Sequence, residues 1–235
     1  MTVVAEPAGQ AATLSGTVAH VIDAPGAGLL LVAAARGTAV ALYTVAAGAP
    51  GLVVEPVSTL DLTRRQATVR FDATPARLVA SAEETADVCE RVLRVAAVLL
   101  AAEQVGAAQH LLEASVSHAR TRMQFGRAIG SFQAVKHRCA DMLVDVELAR
   151  STALHAAWSL DEGTDEDARI EASLAKSVCS DAFTRVAAAT IQVHGGIGFT
   201  WEHEAHLYYK RAITDAALLG SASDHRERLA ALVLD

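Results

Sequence analysis

The chain has 235 residues, of which 52% are hydrophobic and 20% charged, so it can bury a sizeable core and wholesale disorder is not expected. Its net charge is −7 and it has no dense run of lysine and arginine, which argues against a nucleic-acid-binding protein. Three widely spaced cysteines, Cys89, Cys139 and Cys179, argue against a disulfide framework and against a zinc site. We therefore expect no metal ligands.

The N-terminal segment gives no sign of targeting. Residues 1–9 lack the basic and apolar regions of a signal peptide. Apolar runs such as residues 92–102 are too short to span a bilayer, and Glu103 follows this one. We expect a cytoplasmic protein without a membrane span.

Residues 1–80 predict a partial β-domain of short antiparallel strands, because apolar stretches alternate there with turn residues. The last stretch also alternates apolar and polar side chains, which is typical of a half-buried strand. The predicted strands are residues 13–21, 28–34, 39–45, 53–56 and 67–71.

Residues 81–235 predict an antiparallel helical bundle, because long segments contain few helix breakers and are rich in alanine. Glycines at 195, 196 and 198 end the third helix. The predicted helices are residues 81–122, 132–160, 165–193, 202–218 and a last one that follows Ser223 as its N-cap. The expected fold class is mainly α with a small β part.

Three segments of the helical half resemble the acyl-CoA dehydrogenase family. RMQFGRAI at residues 122–129, followed by FQ and then ADM, is similar to the family's R-x-x-F-G…FQ…ADM block. Ala175 and Lys176 match a second segment, and QVHGGIGF at residues 192–199 is similar to the family's Q-x-x-GG-x-G-[FY] turn. The order and spacing of the three segments also match.

The resemblance is strong over about residues 85–235 and weaker over the β part. The family's N-terminal helical domain and first β-strands, about a third of a usual chain, have no counterpart. Whether the chain is a naturally short subunit or a fragment stays open.

The resemblance implies that the helical domain contacts FAD. It assigns Arg122 to the pyrophosphate of the FAD of a neighbouring subunit, where a guanidinium binds two oxygens at once. Without the resemblance, Arg122 reads as a solvated helix-end cation and residues 195–196 as a helix stop. The predicted cofactor-binding residues are Arg122, Gln124, Phe125, Gln133, Gln192, Gly195 and Gly196.

The family's catalytic glutamate has no equivalent here. Oxidation of an acyl-CoA at Cα–Cβ needs a carboxylate that removes the α-proton. The family's usual position corresponds to Gly220, and the position used by some members in the first bundle helix corresponds to Ala96. We therefore predict no catalytic residue. Asp215, Asp224 and Glu204 lie near in sequence, but each is better interpreted as a solvated helix carboxylate.

His20 stands where the family usually has a tryptophan beside the flavin ring. Ile22 replaces the hydroxyl residue that donates a hydrogen bond to the flavin. A stacked imidazole stays an alternative, but we expect that this chain does not itself hold the isoalloxazine ring.

The resemblance implies a non-catalytic subunit of a heteromeric, actinobacterial-type acyl-CoA dehydrogenase. It would complete the FAD site of a catalytic partner in an α2β2 assembly, with the fatty or steroid acyl-CoA bound mainly by the partner. Two alternatives stay open. One is a self-sufficient homo-oligomeric flavoenzyme with a relocated base or a chemistry without one, and the other is a flavin-free helical assembly module.

Overall fold

The structure is a computed structural model that describes residues 3–8 and 11–234. It contains two compact units, Met1–Val92 and Leu93–Asp235, and the division between them falls inside a long helix. The predicted domain boundary between residues 80 and 81 stays a prediction.

The first unit is a small β-barrel. Strand β2 pairs with both β1 and β6, which closes the order β2-β1-β3-β4-β6 into a ring. Strand β5 pairs with residues 66–71 of β6. All pairings are antiparallel except that of β1 with β3. The strands are β1 Val4–Ala8, β2 Ala11–Ile22, β3 Leu29–Arg36, β4 Ala39–Ala46, β5 Leu52–Val57 and β6 Gln66–Ala80.

Strand β6, Gln66–Ala80, is longer than the predicted strand at residues 67–71, and it contains Pro75. A proline cannot donate a backbone hydrogen bond to a neighbouring strand. Here β5 pairs with β6 only as far as Phe71, and β4 begins to pair at Arg77. On that side of β6, Pro75 lies between these two stretches, and on the other side it stands opposite Thr13 of β2, so the strand continues through the proline.

The second unit is the predicted helical bundle. A two-stranded hairpin and a 3₁₀ turn, Ile129–Ser131, separate the first two helices, and a further 3₁₀ turn, Gly195–Phe199, follows the third. The helices are α1 Ala82–Thr121, α2 Gln133–Glu162, α3 Asp165–His194, α4 Ala205–Ala217 and α5 Ala222–Leu234.

The helix starts follow local capping chemistry. Thr164 and Asp167 form a reciprocal capping box at the start of α3. The prediction that Ser223 caps α5 is wrong. Ser221 is the cap, because its Oγ accepts from the backbone N–H of Asp224 at 3.2 Å while the Asp224 carboxylate accepts from the Ser221 N–H at 2.8 Å.

Helix α3 occupies the centre of the bundle and packs against α1, α2, α4 and α5. Most side chains at these contacts are small, so the helices approach closely, as the alanine-rich composition predicts. Two buried clusters of this core contain Val98, Ala101, Ala149, Ala153, Ala172, Ala175 and Ala182, and Leu111, Met142, Val146, Phe183, Val186 and Ala212.

Lys176 on α3 is fully buried. Its ammonium donates to Ser180 Oγ at 2.9 Å and to the backbone carbonyls of Asp215 at 3.1 Å and Gly220 at 3.0 Å. Burial lowers the pKa of Lys176, and the nearby charge of Asp215 opposes that shift. The side chain therefore ties α3 to the last turn of α4 and to the loop that follows it.

Helix α1 contains a window that is long and apolar enough to cross a membrane by length and composition, and half of that window is buried. A core helix of a globular domain meets the same criterion. The expectation of no membrane span, which was based on shorter apolar runs, stays a prediction.

Substitution of Lys176 by alanine should lower the free energy of unfolding by about 3–5 kcal/mol, because it leaves buried acceptors and the Asp215 charge without their cation. Urea unfolding followed by circular dichroism measures the loss. Lys136→Ala, at an exposed position of α2, should stay within about 0.5 kcal/mol of the parent. Equal losses in both variants would contradict the role given to Lys176.

Candidate functional site

The R-x-x-F-G segment forms a tight β-hairpin between α1 and α2. Its strands are β7 Met123–Gln124 and β8 Arg127–Ala128, joined by Phe125 and Gly126. The backbone φ angles of these two turn residues are 53° and 76°, both positive as in a type I′ turn. The Phe125 side chain is 90% exposed at the tip.

Arg122 lies between α1 and this hairpin, and its backbone is fixed on both sides. Its N–H donates to the His118 carbonyl at 2.9 Å, and its carbonyl accepts from the Ile129 N–H at 2.8 Å. The side chain is exposed. The segment thus presents a guanidinium from a rigid backbone, which suits an anionic ligand.

The other predicted residues of this segment are also at the surface. Gln124 is exposed, and its amide donates to the Met123 carbonyl at 2.9 Å. Gln133 is exposed as the first residue of α2. The rings of Phe125 and Phe132 meet edge to face with centroids 6.1 Å apart, so the hairpin tip leans toward the start of α2.

The glycine turn at the end of α3 leaves open space. Gly195 has φ 65°, and a Cβ placed on Gly195 or Gly196 would meet no atom within 4 Å. Gln192 is exposed beside them. The Gly195 N–H donates to the Ile191 carbonyl, so this residue contributes an open approach to the backbone and not a donor. Gly198 differs, since a Cβ there would lie 3.0 Å from that of His194.

Three histidines bring the two motifs together. The ring of His118 on α1 stacks on that of His194 at the end of α3, with centroids 4.4 Å apart, and His194 lies 4.4 Å from the ring of His203. We call these three rings the imidazole stack. His118 precedes Arg122 by one helical turn and His194 adjoins Gly195, so the stack joins the two predicted cofactor segments.

No local pattern in the sequence predicts this stack, because His118 is 76 residues before His194 and the turn after α3 decides whether His203 meets them. His194 is a packing and hydrogen-bonding residue of this stack. Its ring is buried, and Nδ1 lies 2.9 Å from the Thr190 carbonyl. Burial lowers the pKa of both His118 and His194, and their mutual proximity and that of Arg122 and His203 add to the shift at His118.

The position of the family's usual glutamate lies in a constrained loop after α4. Leu219 has φ 62° and Gly220 has φ 101°. The Gly220 carbonyl accepts from Lys176, and a Cβ on Gly220 would lie 3.3 Å from His225 Nε2. The second position, Ala96, is half-buried on α1.

Asp215 is fully buried, so the expectation that it is a solvated helix carboxylate is wrong. Its carboxylate lies 3.9 Å from Arg211 Nε, one helical turn back, and Arg211 also binds Glu103 at 2.6 Å. The nearby cations Lys176 and Arg211, and not water, stabilise this carboxylate on the inner face of α4.

The other two acids have structural partners at the surface. The Asp224 carboxylate accepts hydrogen bonds from the N–H and the hydroxyl of Ser221 at the start of α5, and these bonds lower its pKa. Glu204 lies 2.6 Å from His110 Nε2. Each of these carboxylates thus has a structural partner.

His20 lies in the β-unit at a bulge of β2. The pairing with β6 shifts between Val18 and Val21, and His20 has φ 58° in the left-handed region. Its Nδ1 lies 3.1 Å from Gln66 Oε1. The strained backbone holds an exposed imidazole at this edge of the barrel.

The thiols form no cluster in the part of the chain that the structure describes. All three cysteines are free, and burial raises the pKa of Cys179 to about 12. Its Sγ donates to the Ala149 carbonyl at 3.4 Å. Among residues 3–8 and 11–234, no group of three His, Cys, Asp or Glu side chains could hold a metal ion.

Comparison with known proteins matches this architecture. The family model described as "Acyl-CoA dehydrogenase, C-terminal domain" matches residues 86–234. The acyl-CoA dehydrogenase IpdE2 of Mycobacterium tuberculosis is 42% identical over 177 residues, which are 74% of this chain and 50% of that protein. The chain thus spans about half the length of the curated relatives it matches.

Two similar solved structures are heteromeric. A variant of the Tcur3481-Tcur3483 steroid ACAD superposes with a TM-score of 0.88 at 33% identity, and the ChsE4-ChsE5 complex from Mycobacterium tuberculosis superposes with a TM-score of 0.90 at 32% identity. Each match covers 100% of this chain and 63% of the other. By its helical domain and the motifs within it, the chain belongs to the acyl-CoA dehydrogenase family.

Proposed function

We propose that the chain is the non-catalytic subunit of a heteromeric, FAD-dependent acyl-CoA dehydrogenase that desaturates a fatty or steroid side-chain acyl-CoA at Cα–Cβ. The observation that carries the proposal is a contrast within the helical unit. The segments predicted to contact FAD lie together at one end of α1 and α3, whereas Gly220 and Ala96 stand where a base would be needed.

The residues at this end suit the adenosine diphosphate half of FAD. Arg122 offers two parallel N–H donors to pyrophosphate oxygens. Phe125 offers an exposed ring, and Gln124 and Gln133 offer amide groups that can both donate and accept. The open backbone at residues 195–196 lets a flat or bulky group approach without meeting a Cβ. The donor set and the free space therefore fit the cofactor.

The cofactor's own chemistry is to accept the hydride that leaves Cβ. The residues of this chain would hold its adenosine end and exclude water from it. The proton at Cα would go to a glutamate of the partner subunit, since glycine and alanine have no ionisable group. Because the partner would supply the base, we expect it also to bind most of the acyl-CoA, in an α2β2 assembly. The heteromeric relatives support such an assembly.

The backbone at Phe125 adds a second argument. A bulky residue in the left-handed region is strained and is rarely tolerated without a reason. The tight turn imposes the positive φ at this position, but the Phe125 ring is 90% exposed with an edge contact to Phe132, so packing within this chain does not explain why a bulky ring occupies the turn. A ligand or a partner that covers the ring would.

Arg122→Ala should weaken FAD binding by the complex about 10- to 100-fold, since a charged hydrogen bond contributes about 1.5–3 kcal/mol. The complex is obtained by co-expression with a longer dehydrogenase subunit that has an intact glutamate, and bound flavin is titrated by fluorescence. The FAD affinity of Arg122→Lys should lie between those of the wild type and Arg122→Ala, because lysine keeps the charge but cannot form two parallel hydrogen bonds. Arg120→Ala, an exposed arginine two residues away, is the control.

Failure of the two chains to associate, or a complex without flavin, would contradict the proposal. Unchanged flavin content and activity in the Arg122→Ala complex would favour an assembly module that does not contact the cofactor.

Phe125→Asn should raise the free energy of unfolding of the chain alone by about 0.5–1 kcal/mol, because Asn-Gly is the preferred pair of a type I′ turn. The same change should lower flavin retention in the complex. Phe199→Asn, at another phenylalanine that is 74% exposed, should not stabilise the chain, since Phe199 does not have a positive φ. Destabilisation by Phe125→Asn would contradict the strain argument.

Gly220→Glu should not create a dehydrogenase from this chain alone, and it should lower the free energy of unfolding by about 1–3 kcal/mol because of the left-handed backbone and the contact with His225. Gly106→Glu is the matched control, at a helical glycine with free space around it, and should be neutral or stabilising. Anaerobic flavin bleaching by acyl-CoA is the activity measurement. Bleaching by the unmodified chain alone would instead support a self-sufficient enzyme.

A further inference from the structure

The imidazole stack is the contact on which this inference rests. Its three rings come from α1, from the end of α3 and from the segment before α4, and neighbouring centroids are 4.4 Å apart. The planes of the first pair differ by 28° and those of the second by 48°. The rings therefore pack face to face or tilted, and they do not converge on a common point as metal ligands do.

Buried hydroxyl groups fix the helices beneath the stack. Ser115 Oγ on α1 donates to Thr190 Oγ1 on α3 at 3.2 Å, and Thr190 Oγ1 donates to the Val186 carbonyl at 2.9 Å. Both hydroxyl side chains are fully buried. Because the Ser115–Thr190 hydrogen bond already joins α1 and α3, the stack can affect only the final turns of these helices. Arg122 and the glycine turn follow directly after those turns.

The hydrogen bonds define which ring atoms carry protons when the stack is neutral. The Thr190 carbonyl can only accept, so His194 Nδ1 must carry the hydrogen. His203 Nδ1 accepts from the Ala205 N–H at 3.1 Å, which leaves its hydrogen on Nε2. A second proton would therefore convert either ring to an imidazolium packed against its neighbour.

The charged groups around the stack are of both signs. Arg122, just after the end of α1, lies close enough to disfavour a charge on His118. Glu204, before α4, favours a charge on His194, but it also lies 2.6 Å from His110 on α1. The carboxylate is thus shared with another imidazole and does not neutralise the stack alone.

We infer that the imidazole stack is a proton-sensitive contact that holds Arg122 and the glycine turn in their cofactor-binding arrangement when neutral and releases them when protonated. This inference rests on the proposed function, because it regulates the same FAD-contact site. Two adjacent imidazolium rings beside a guanidinium repel one another, so protonation separates the ends of α1 and α3. The site loses its geometry before the bundle unfolds, since the Ser115–Thr190 contact remains.

The direction of the pH dependence follows from the shifted groups. Burial lowers the pKa of His118 and of His194 in the folded chain, so the unfolded or opened form binds protons more tightly. The stability of the closed form is therefore complete above the ordinary histidine pKa of about 6.5, and it is lost as the pH falls from that value through the lowered pKa values of the closed form.

The first test uses the full chain alone, labelled at histidine Cε1 and titrated by NMR. The imidazole signals of His118 and His194, assigned from single variants, should titrate below the ordinary histidine pKa of about 6.5. Titration of both groups at or above that pKa would overturn the inference.

The second test measures FAD affinity of the complex with a catalytic subunit between pH 7.5 and pH 5.5. The wild type should lose about tenfold or more, because each pH unit below a pKa changes the protonated ratio tenfold. His118→Phe keeps a flat ring that cannot become charged. Over this pH range its FAD affinity should fall less than about threefold, after subtraction of any change that the control His155→Phe also shows. His118→Lys carries a charge throughout and should bind weakly at every pH.

Identical pH profiles in wild type, His118→Phe and His155→Phe would overturn the inference while leaving the proposed function intact. A wild-type complex that holds no FAD at pH 7.5 would overturn the proposed function instead. In that case the NMR titration, together with hydrogen exchange at the ends of α1 and α3, still decides whether protonation opens the stack.

Discussion

The whole helical unit depends on the close packing of α3 with four other helices. Such a central position is available only to a helix whose sides carry small residues, and Ala172, Ala175, Ala182 and Ala187 provide them. Small side chains contribute little apolar area each, so specificity must come from a few buried polar contacts. Lys176 and the Gln104–Ser180 pair, whose side chains meet at 3.1 Å, supply such contacts along one face of α3.

Two parts of α3, its middle and its C-terminal end, contact different loops. Near its middle, Lys176 binds the loop after α4 through the Gly220 carbonyl, which fixes that loop in a left-handed conformation suited to glycine. At its C-terminal end, His194 meets rings from two other elements. The loop at Gly220 is thus tied to α3, whereas the segment at Arg122 and the glycine turn at 195–196 are exposed beside the imidazole stack.

Three of the five described non-glycine residues with positive φ lie at or beside positions that the family resemblance connects with cofactor or substrate chemistry: His20, Phe125 and Leu219. The other two, Asp23 and Ala73, lie elsewhere in the β-unit. Strained backbone persists where surrounding structure imposes it, and it is common at ligand sites. In this chain the tight hairpin imposes it at Phe125, the carbonyl contacts of Lys176 and His225 impose it in the loop, and a β-bulge imposes it at His20.

The sequence by itself determined the helical bundle, most of the strands and the family, because alanine-rich helices, glycine stops and the R-x-x-F-G hairpin are local patterns that need few distant contacts. It also determined that Gly220 and Ala96 cannot act as bases. Only the tertiary structure decided that Ser221 caps α5, that Asp215 is buried beside Arg211, and that β6 runs through Pro75. The imidazole stack belongs to the same group. His118 is far from the other two rings in the chain, and the contact of all three arises from the way α1, α3 and the segment before α4 pack, which no local pattern specifies.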